Sequence, residues 1–117
     1  MRRRMLKSKI HRATVTDASA DYEGSITIDR VLMDAADLFE YEQVHVWDVT
    51  NGARLVTYVI EGAPASGTIS INGAAALLIN RGDKIIIGGY GDYDESEVRN
   101  FQPRKIFVDE KNRPIKK

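Results

Sequence analysis

Val44-His45-Val46-Trp47-Asp48-Val49-Thr50-Asn51-Gly52-Ala53-Arg54-Leu55-Val56-Thr57-Tyr58-Val59-Ile60 is the stretch whose reading decides the fold. Val44 to Val49 alternates, with Val44 and Val46 on one face and His45, Trp47 and Val49 on the other, the period of a strand. Arg54 to Ile60 is rich in β-branched and aromatic residues and reads as the returning strand. Asn51-Gly52 between them predicts a two-residue type I′ turn, because both positions of that turn need positive φ. A hairpin at the centre of the chain implies a sheet of antiparallel neighbours, and the rest of the sequence can be tested against that.

Upstream, residues 4–16 alternate loosely, and Ile10, Thr14, Val15 and Thr16 favour a strand. Asp17 to Asp21 is polar and interrupts the pattern. Ser25 to Ile28 is a short strand with Ile26 and Ile28 on one face. Asp29 then reads as a helix N-cap, and Leu32, Ala35, Ala36 and Phe39 recur at helical spacing, predicting one amphipathic helix over 30–39. Downstream, 62–67 is a loop, Thr68 to Ile71 a strand ended by Asn72-Gly73, and Ala74 to Leu78 a helical turn. Arg81-Gly82-Asp83 turns the chain into Ile85-Ile86-Ile87, apolar throughout and expected to be buried on both faces. Asp92 to Glu97 is acidic and expected to be exposed. Phe101 to Val108 is a last strand, with Pro103 arguing for an edge or bulge. The Lys/Arg-rich segment after Asp109 is expected to be a mobile tail. Six or seven short strands with one or two short helices make a small, mainly β barrel.

The 117 residues suit a single domain with its own core. A formal net charge of zero recruits neither nucleic acid nor an acidic membrane. With no cysteine, thiolate catalysis and disulfides are excluded, and two histidines, His11 and His45, are too few for a zinc site. Arg2, Arg3 and Arg4 are not followed by an apolar segment of signal-peptide length. A cytoplasmic location is expected, with neither membrane nor nucleic-acid partner.

The chemistry is expected at Tyr22-Glu23-Gly24-Ser25. A serine hydroxyl can attack the preceding carbonyl and move the acyl group from nitrogen to oxygen. Glycine leaves that carbonyl open and reaches angles closed to other residues.

Several motifs stand in order around this bond: Lys9-Ile10-His11-Arg12, Tyr22-Glu23-Gly24-Ser25-Ile26-Thr27-Ile28-Asp29, Leu32-Met33-Asp34-Ala35-Ala36, and Trp47-Asp48-Val49-Thr50-Asn51-Gly52. Arg54, Thr57-Tyr58, Ile71-Asn72-Gly73-Ala74-Ala75-Ala76 and Gly82-Asp83 complete the set. The ordered set resembles the aspartate 1-decarboxylase family, pyruvoyl enzymes that make β-alanine for pantothenate, over about residues 1 to 108. The resemblance implies a six-stranded double-psi β barrel and a cytoplasmic homotetramer with active sites between subunits. It implies self-cleavage after Gly24 into a β chain, 1–24, and an α chain, 25–117, which Ser25 caps as a covalent pyruvoyl group. That group forms a Schiff base with L-aspartate and takes up the charge left by CO2, with no metal and no pyridoxal phosphate. A maturation partner is left open.

The same resemblance assigns the site. Arg54 and Lys9 hold a substrate carboxylate, the first in a bidentate fork. They are assigned mainly to the side-chain carboxylate, because a cation on the departing one would stabilise the ground state. Thr57 is expected to bond the Gly24 carbonyl during cleavage, and also to bind substrate. Asn72, with the Gly73 and Ala74 amides, is expected to stabilise the cleavage oxyanion. Gly73, Ala74 and Ala75 line the substrate site, and His11, Tyr22 and Trp47 border it. Tyr58, on the face of Arg54, is the proton donor to the α-carbon. Thr57, one residue away, faces the other side of a regular strand. The alternative is a swapped-barrel DNA-binding regulator with Arg2, Arg3, Arg4 and Lys7 as a phosphate-binding arm.

Overall fold

The computed structural model describes residues 1–21 and 23–116. The central hairpin is there: β4 (Gln43–Asp48) pairs antiparallel with β5 (Arg54–Gly62). Its turn is not type I′. Asp48 N–H donates to the Ala53 carbonyl at 2.8 Å, so four residues are looped out. Only Gly52, at φ 81°, has positive φ there. The buried Asp48 carboxylate explains the difference, since its Oδ1 accepts from Thr50 N–H and Asn51 N–H and holds the chain in a wider turn.

Numbered in chain order, the other strands are β1 (Arg2–Thr14), β2 (Asp17–Ser19), β3 (Ser25–Asp29), β6 (Ile69–Asn72), β7 (Lys84–Asp94), β8 (Arg104–Val108) and β9 (Pro114–Ile115). They form one sheet in the order β2-β6-β3-β5-β4-β7-β1-β8-β9. β2 falls in the polar stretch that the sequence reads as a break. It forms because it is parallel to β6, with Asp17 opposite Ser70.

β1 and β2 are separated only by Val15 and Thr16, which stay in the ladder: Val15 N–H donates to Asp83 O, and Thr16 N–H to Ile69 O. One continuous chain therefore crosses from β7 to β6 and closes a ring of six: β1/β2, β6, β3, β5, β4 and β7. Closure removes the free edges that an open sheet would expose. The fold is mainly β, as expected, and the six-strand closure is consistent with a double-psi barrel. β8 and β9 lie outside the ring, β8 on β1 and β9 on β8.

The interior is filled by period-two pairs: Ile26 and Ile28, Val44 and Val46, Ile69 and Ile71, Ile85 and Ile87, all at most 1% exposed. Each such side chain contributes about 1.5–3 kcal/mol through burial. Ile86 is only half-buried, so β7 buries one face rather than two.

Asp29 caps helix α1 (Arg30–Ala35) as expected, with Oδ1 accepting from Val31 N–H at 2.8 Å. The helix is shorter than predicted. Asp37 adopts φ 55°, and Leu38 N–H reaches back to Met33 O at 2.8 Å, a left-handed stop after Ala36. Phe39, expected on the buried face, is 73% exposed. A 3-10 helix, Gly73–Leu77, occupies the predicted helical turn, and α2 is Glu95–Val98.

The segment after Asp109, expected to be mobile, returns through a turn to β9. Asn112, 1% exposed, seats it: its Oδ1 accepts from Thr14 N–H, and its Nδ2 donates to the Thr14 and Gly67 carbonyls, each at 2.8 Å.

Candidate active site

Ser25 opens β3 directly opposite Asn72, which closes β6. Opposed residues of an antiparallel pair share a face, so both side chains point outward from the barrel. Ser25 is 5% exposed, and its Oγ accepts from Asn72 Nδ2 at 3.0 Å. The same Nδ2 donates to Thr27 Oγ1 at 3.1 Å. The amide expected at the cleavage oxyanion is thus aimed at the serine hydroxyl itself. Tyr58 and Ile60 of β5 join Glu23, Ser25 and Asn72 around an open cavity of about 400 Å³.

Gly24 lies on an adjoining cavity of similar size, with Thr57, Tyr58, Ala74 and Ala75. Thr57 and Tyr58, adjacent on β5, both border this space. Gly24 is exposed, and a Cβ on it would meet nothing within 4 Å. Its φ lies outside the left-handed region, so the special backbone angle expected at this glycine is not used. What glycine leaves here is open space on the side where a side chain would stand. A buried serine hydroxyl held beside an open Gly–Ser peptide fits a pyruvoyl precursor.

The cations stand elsewhere. Arg54 is four residues along β5 from Tyr58, about 13 Å at the usual strand rise. Its guanidinium carbon lies 5.2 Å from the Trp47 ring centroid. Trp47 covers Gly88, where an added Cβ would sit 2.6 Å from the ring. Lys9 pairs with Gly88 across β1 and β7, so it shares the face of the Trp47–Arg54 stack. Neither Lys9 nor Arg54 lines the cavities around Ser25 and Gly24. His11 packs edge-on to Phe107, 5.5 Å between centroids, against β8 and apart from both groups. Tyr22 lies outside the described residues.

Thr27 was missed as a site residue, since in sequence it is only a β-former. The signal was available in the alternation Ser25-Ile26-Thr27, which puts its hydroxyl on the face of Ser25. The basic arm also differs from expectation. Arg2, Arg3 and Arg4 pair with Asp94, Glu95 and Asp92 at 3.5, 2.7 and 3.0 Å. The hydrogen bond from Arg4 holds the Asp92 carboxyl below the usual carboxylate range. Lys7 is engaged by Glu42. Each cation of the arm named in the DNA-binding alternative thus faces a carboxylate.

Fold and site together define a class: a closed, mainly β barrel with a serine hydroxyl held against the amide of Asn72, directly after an open glycine. The profile of the family described as aspartate decarboxylase matches residues 1–115, and the chain belongs to that family. An aspartate 1-decarboxylase from Syntrophotalea carbinolica (strain DSM 2380 / NBRC 103641 / GraBd1) is 55% identical over 114 residues, covering 97% of this chain and 87% of the relative.

Proposed function

We propose that this chain decarboxylates L-aspartate to β-alanine for pantothenate and coenzyme A synthesis, in the cytoplasm, after cleaving itself between Gly24 and Ser25. The observation that carries the reading is the Asn72 Nδ2–Ser25 Oγ contact at 3.0 Å beside the open Gly24 peptide, in a chain of this family. Ser25 Oγ attacks the Gly24 carbonyl carbon, and its proton passes to the Ser25 nitrogen as the C–N bond breaks. The resulting ester eliminates, and hydrolysis of the dehydrated residue releases ammonia and leaves the pyruvoyl group. Thr57, on the cavity that Gly24 borders, orients the Gly24 carbonyl. The pyruvoyl group supplies an electron sink for the charge left by CO2.

The chain's own residues do the rest. Tyr58 stands over the Ser25 cavity and donates a proton to the α-carbon of the decarboxylated substrate. Ala74 and Ala75 border the Gly24 cavity, while Gly73, expected beside them, is buried and lines neither cavity. Arg54 and Lys9 bind the side-chain carboxylate of aspartate, with Trp47 as the wall beneath them. Their separation from Ser25 within one chain supports a homotetramer in which one subunit brings its Lys9–Arg54 face to the Ser25 cavity of the next. Such an arrangement brings cations to cavities that hold none among the described residues lining them.

Denaturing mass spectrometry tests the reading. Two fragments split after Gly24 are expected, the larger lighter by one ammonia than a serine-initiated chain. A protein that stays a single intact chain after prolonged warming refutes it.

A further inference from the structure

We propose that Thr27 is a positioning residue for cleavage of the Gly24–Ser25 bond: its hydroxyl oxygen takes one amide proton of Asn72 and so aims the other at Ser25 Oγ. The inference rests on the self-cleavage reading above. Four polar side chains meet on the outer face of β3 and β6, in directly opposed pairs: Ser25 with Asn72, and Thr27 with Ser70. Asn72 Nδ2 donates to Ser25 Oγ at 3.0 Å and to Thr27 Oγ1 at 3.1 Å, and Asn72 Oδ1 accepts from Ser70 Oγ at 3.4 Å. Both amide protons and the amide oxygen are thereby assigned, which removes the freedom of the amide to turn over.

The rotamer of Thr27 is itself held. Its Cγ2 methyl occupies the space beside Gly62 on β5, where a Cβ would come within 3.2 Å of it. A β-branched side chain has few χ1 choices, so seating the methyl against Gly62 turns Oγ1 toward Asn72. β5 thus sets Thr27, Thr27 sets Asn72, and Asn72 sets the nucleophile. With Oγ accepting from Asn72, its own hydrogen is directed elsewhere and is free to leave as the C–O bond to Gly24 forms. Thr27 takes no atom or proton in the acyl shift.

The test is the first-order rate of cleavage, followed by denaturing mass spectrometry on freshly made protein. Thr27→Val keeps the methyl against Gly62 but replaces the acceptor with a second methyl. Thr27→Ser keeps the acceptor. Loss of one neutral hydrogen bond predicts cleavage about tenfold slower in Thr27→Val, with Thr27→Ser within about threefold of the wild type on the same scale. Ser70→Ala, which removes the longer 3.4 Å bond, should slow cleavage less than Thr27→Val. If Thr27→Val fails to fold, Thr27→Ala against Thr27→Ser decides: both lose the methyl and only serine keeps the acceptor, so a slower Thr27→Ala supports the role and equal rates overturn it. Slowing in Thr27→Ser as large as that in Thr27→Val, or larger, overturns it, because serine keeps the acceptor and loses only the methyl against Gly62. A Thr27→Val protein that cleaves as fast as the wild type overturns it outright. A wild type that never cleaves removes the self-cleavage reading itself, a different failure.

Discussion

Replacing Asn112 with alanine tests whether the C-terminal turn is part of the folded unit. Asn112 sits at φ 60° and is 1% exposed, and its amide satisfies Thr14 N–H, Thr14 C=O and Gly67 C=O at 2.8 Å each. Alanine breaks all three bonds. A buried backbone group left without a partner costs about 1–3 kcal/mol. Thr14 and Gly67 are half-buried, so water recovers part of this, and the lower end, about 1 kcal/mol each, is appropriate. Alanine at left-handed φ adds about 1 kcal/mol. The sum is about 4 kcal/mol, a large share of the roughly 5–15 kcal/mol that stabilises a typical domain. Melting should fall by about 15 °C for a chain of this size, measured at fixed protomer concentration because assembly shifts apparent stability. Asn112→Gly, which relieves the φ strain but not the lost bonds, should lie between alanine and wild type. A loss under about 1 kcal/mol for Asn112→Ala, well below the three bonds counted, would refute the reasoning and return the segment after Asp109 to the status of a loose tail.

Tyr58→Phe should leave Gly24–Ser25 cleavage intact and cut β-alanine formation about a hundredfold or more, the scale of lost general acid catalysis; a cleaved variant with near-normal kcat would remove Tyr58 from the mechanism. Gly88→Ala places a Cβ 2.6 Å from the Trp47 ring, which must shift and take the stacked Arg54 with it. KM for aspartate should rise about two- to fivefold, the worth of an exposed cation–π contact, with cleavage unchanged; an unaltered KM would separate Arg54 from substrate binding. Asp48 is expected to tie stability to pH. Burial, and then the neighbouring Asp83 carboxyl, raise the Asp48 carboxyl above the usual range. A raised folded value means that its contribution is present below the unfolded pKa of about 4 and is lost as pH rises through the folded value. Asp48→Asn keeps an oxygen for Thr50 and Asn51 but carries no charge, so the variant's melting temperature minus that of the wild type should grow as pH rises above about 4. A pH-independent difference would show that Asp48 does not titrate in that window.

By itself the sequence determined the elements whose signals are local. Alternation at Val44 and Val46, and at Ile26 and Ile28, marks strands because side chains in extended chain alternate faces. Asp29 marks a helix start because a short carboxylate satisfies the first free N–H groups. The ordered motifs around Gly24–Ser25 pointed to the family, since spacing along the chain survives any folding. Tertiary structure decided what depends on partners distant in sequence. β2 exists only because β6 lies beside it, and the hairpin turn widened because Asp48 was buried with its carboxylate facing the loop. The helix stopped at Ala36 where Leu38 turned into the core, leaving Phe39 outside. Asn112 drew the tail down onto Thr14, 98 residues earlier. The site divides the same way. Ser25 and Asn72 are 47 residues apart and meet because β3 and β6 pair in one register. The hydroxyl of Thr27 joins them because β5 brings Gly62 against its methyl, a contact that no local pattern in the sequence encodes.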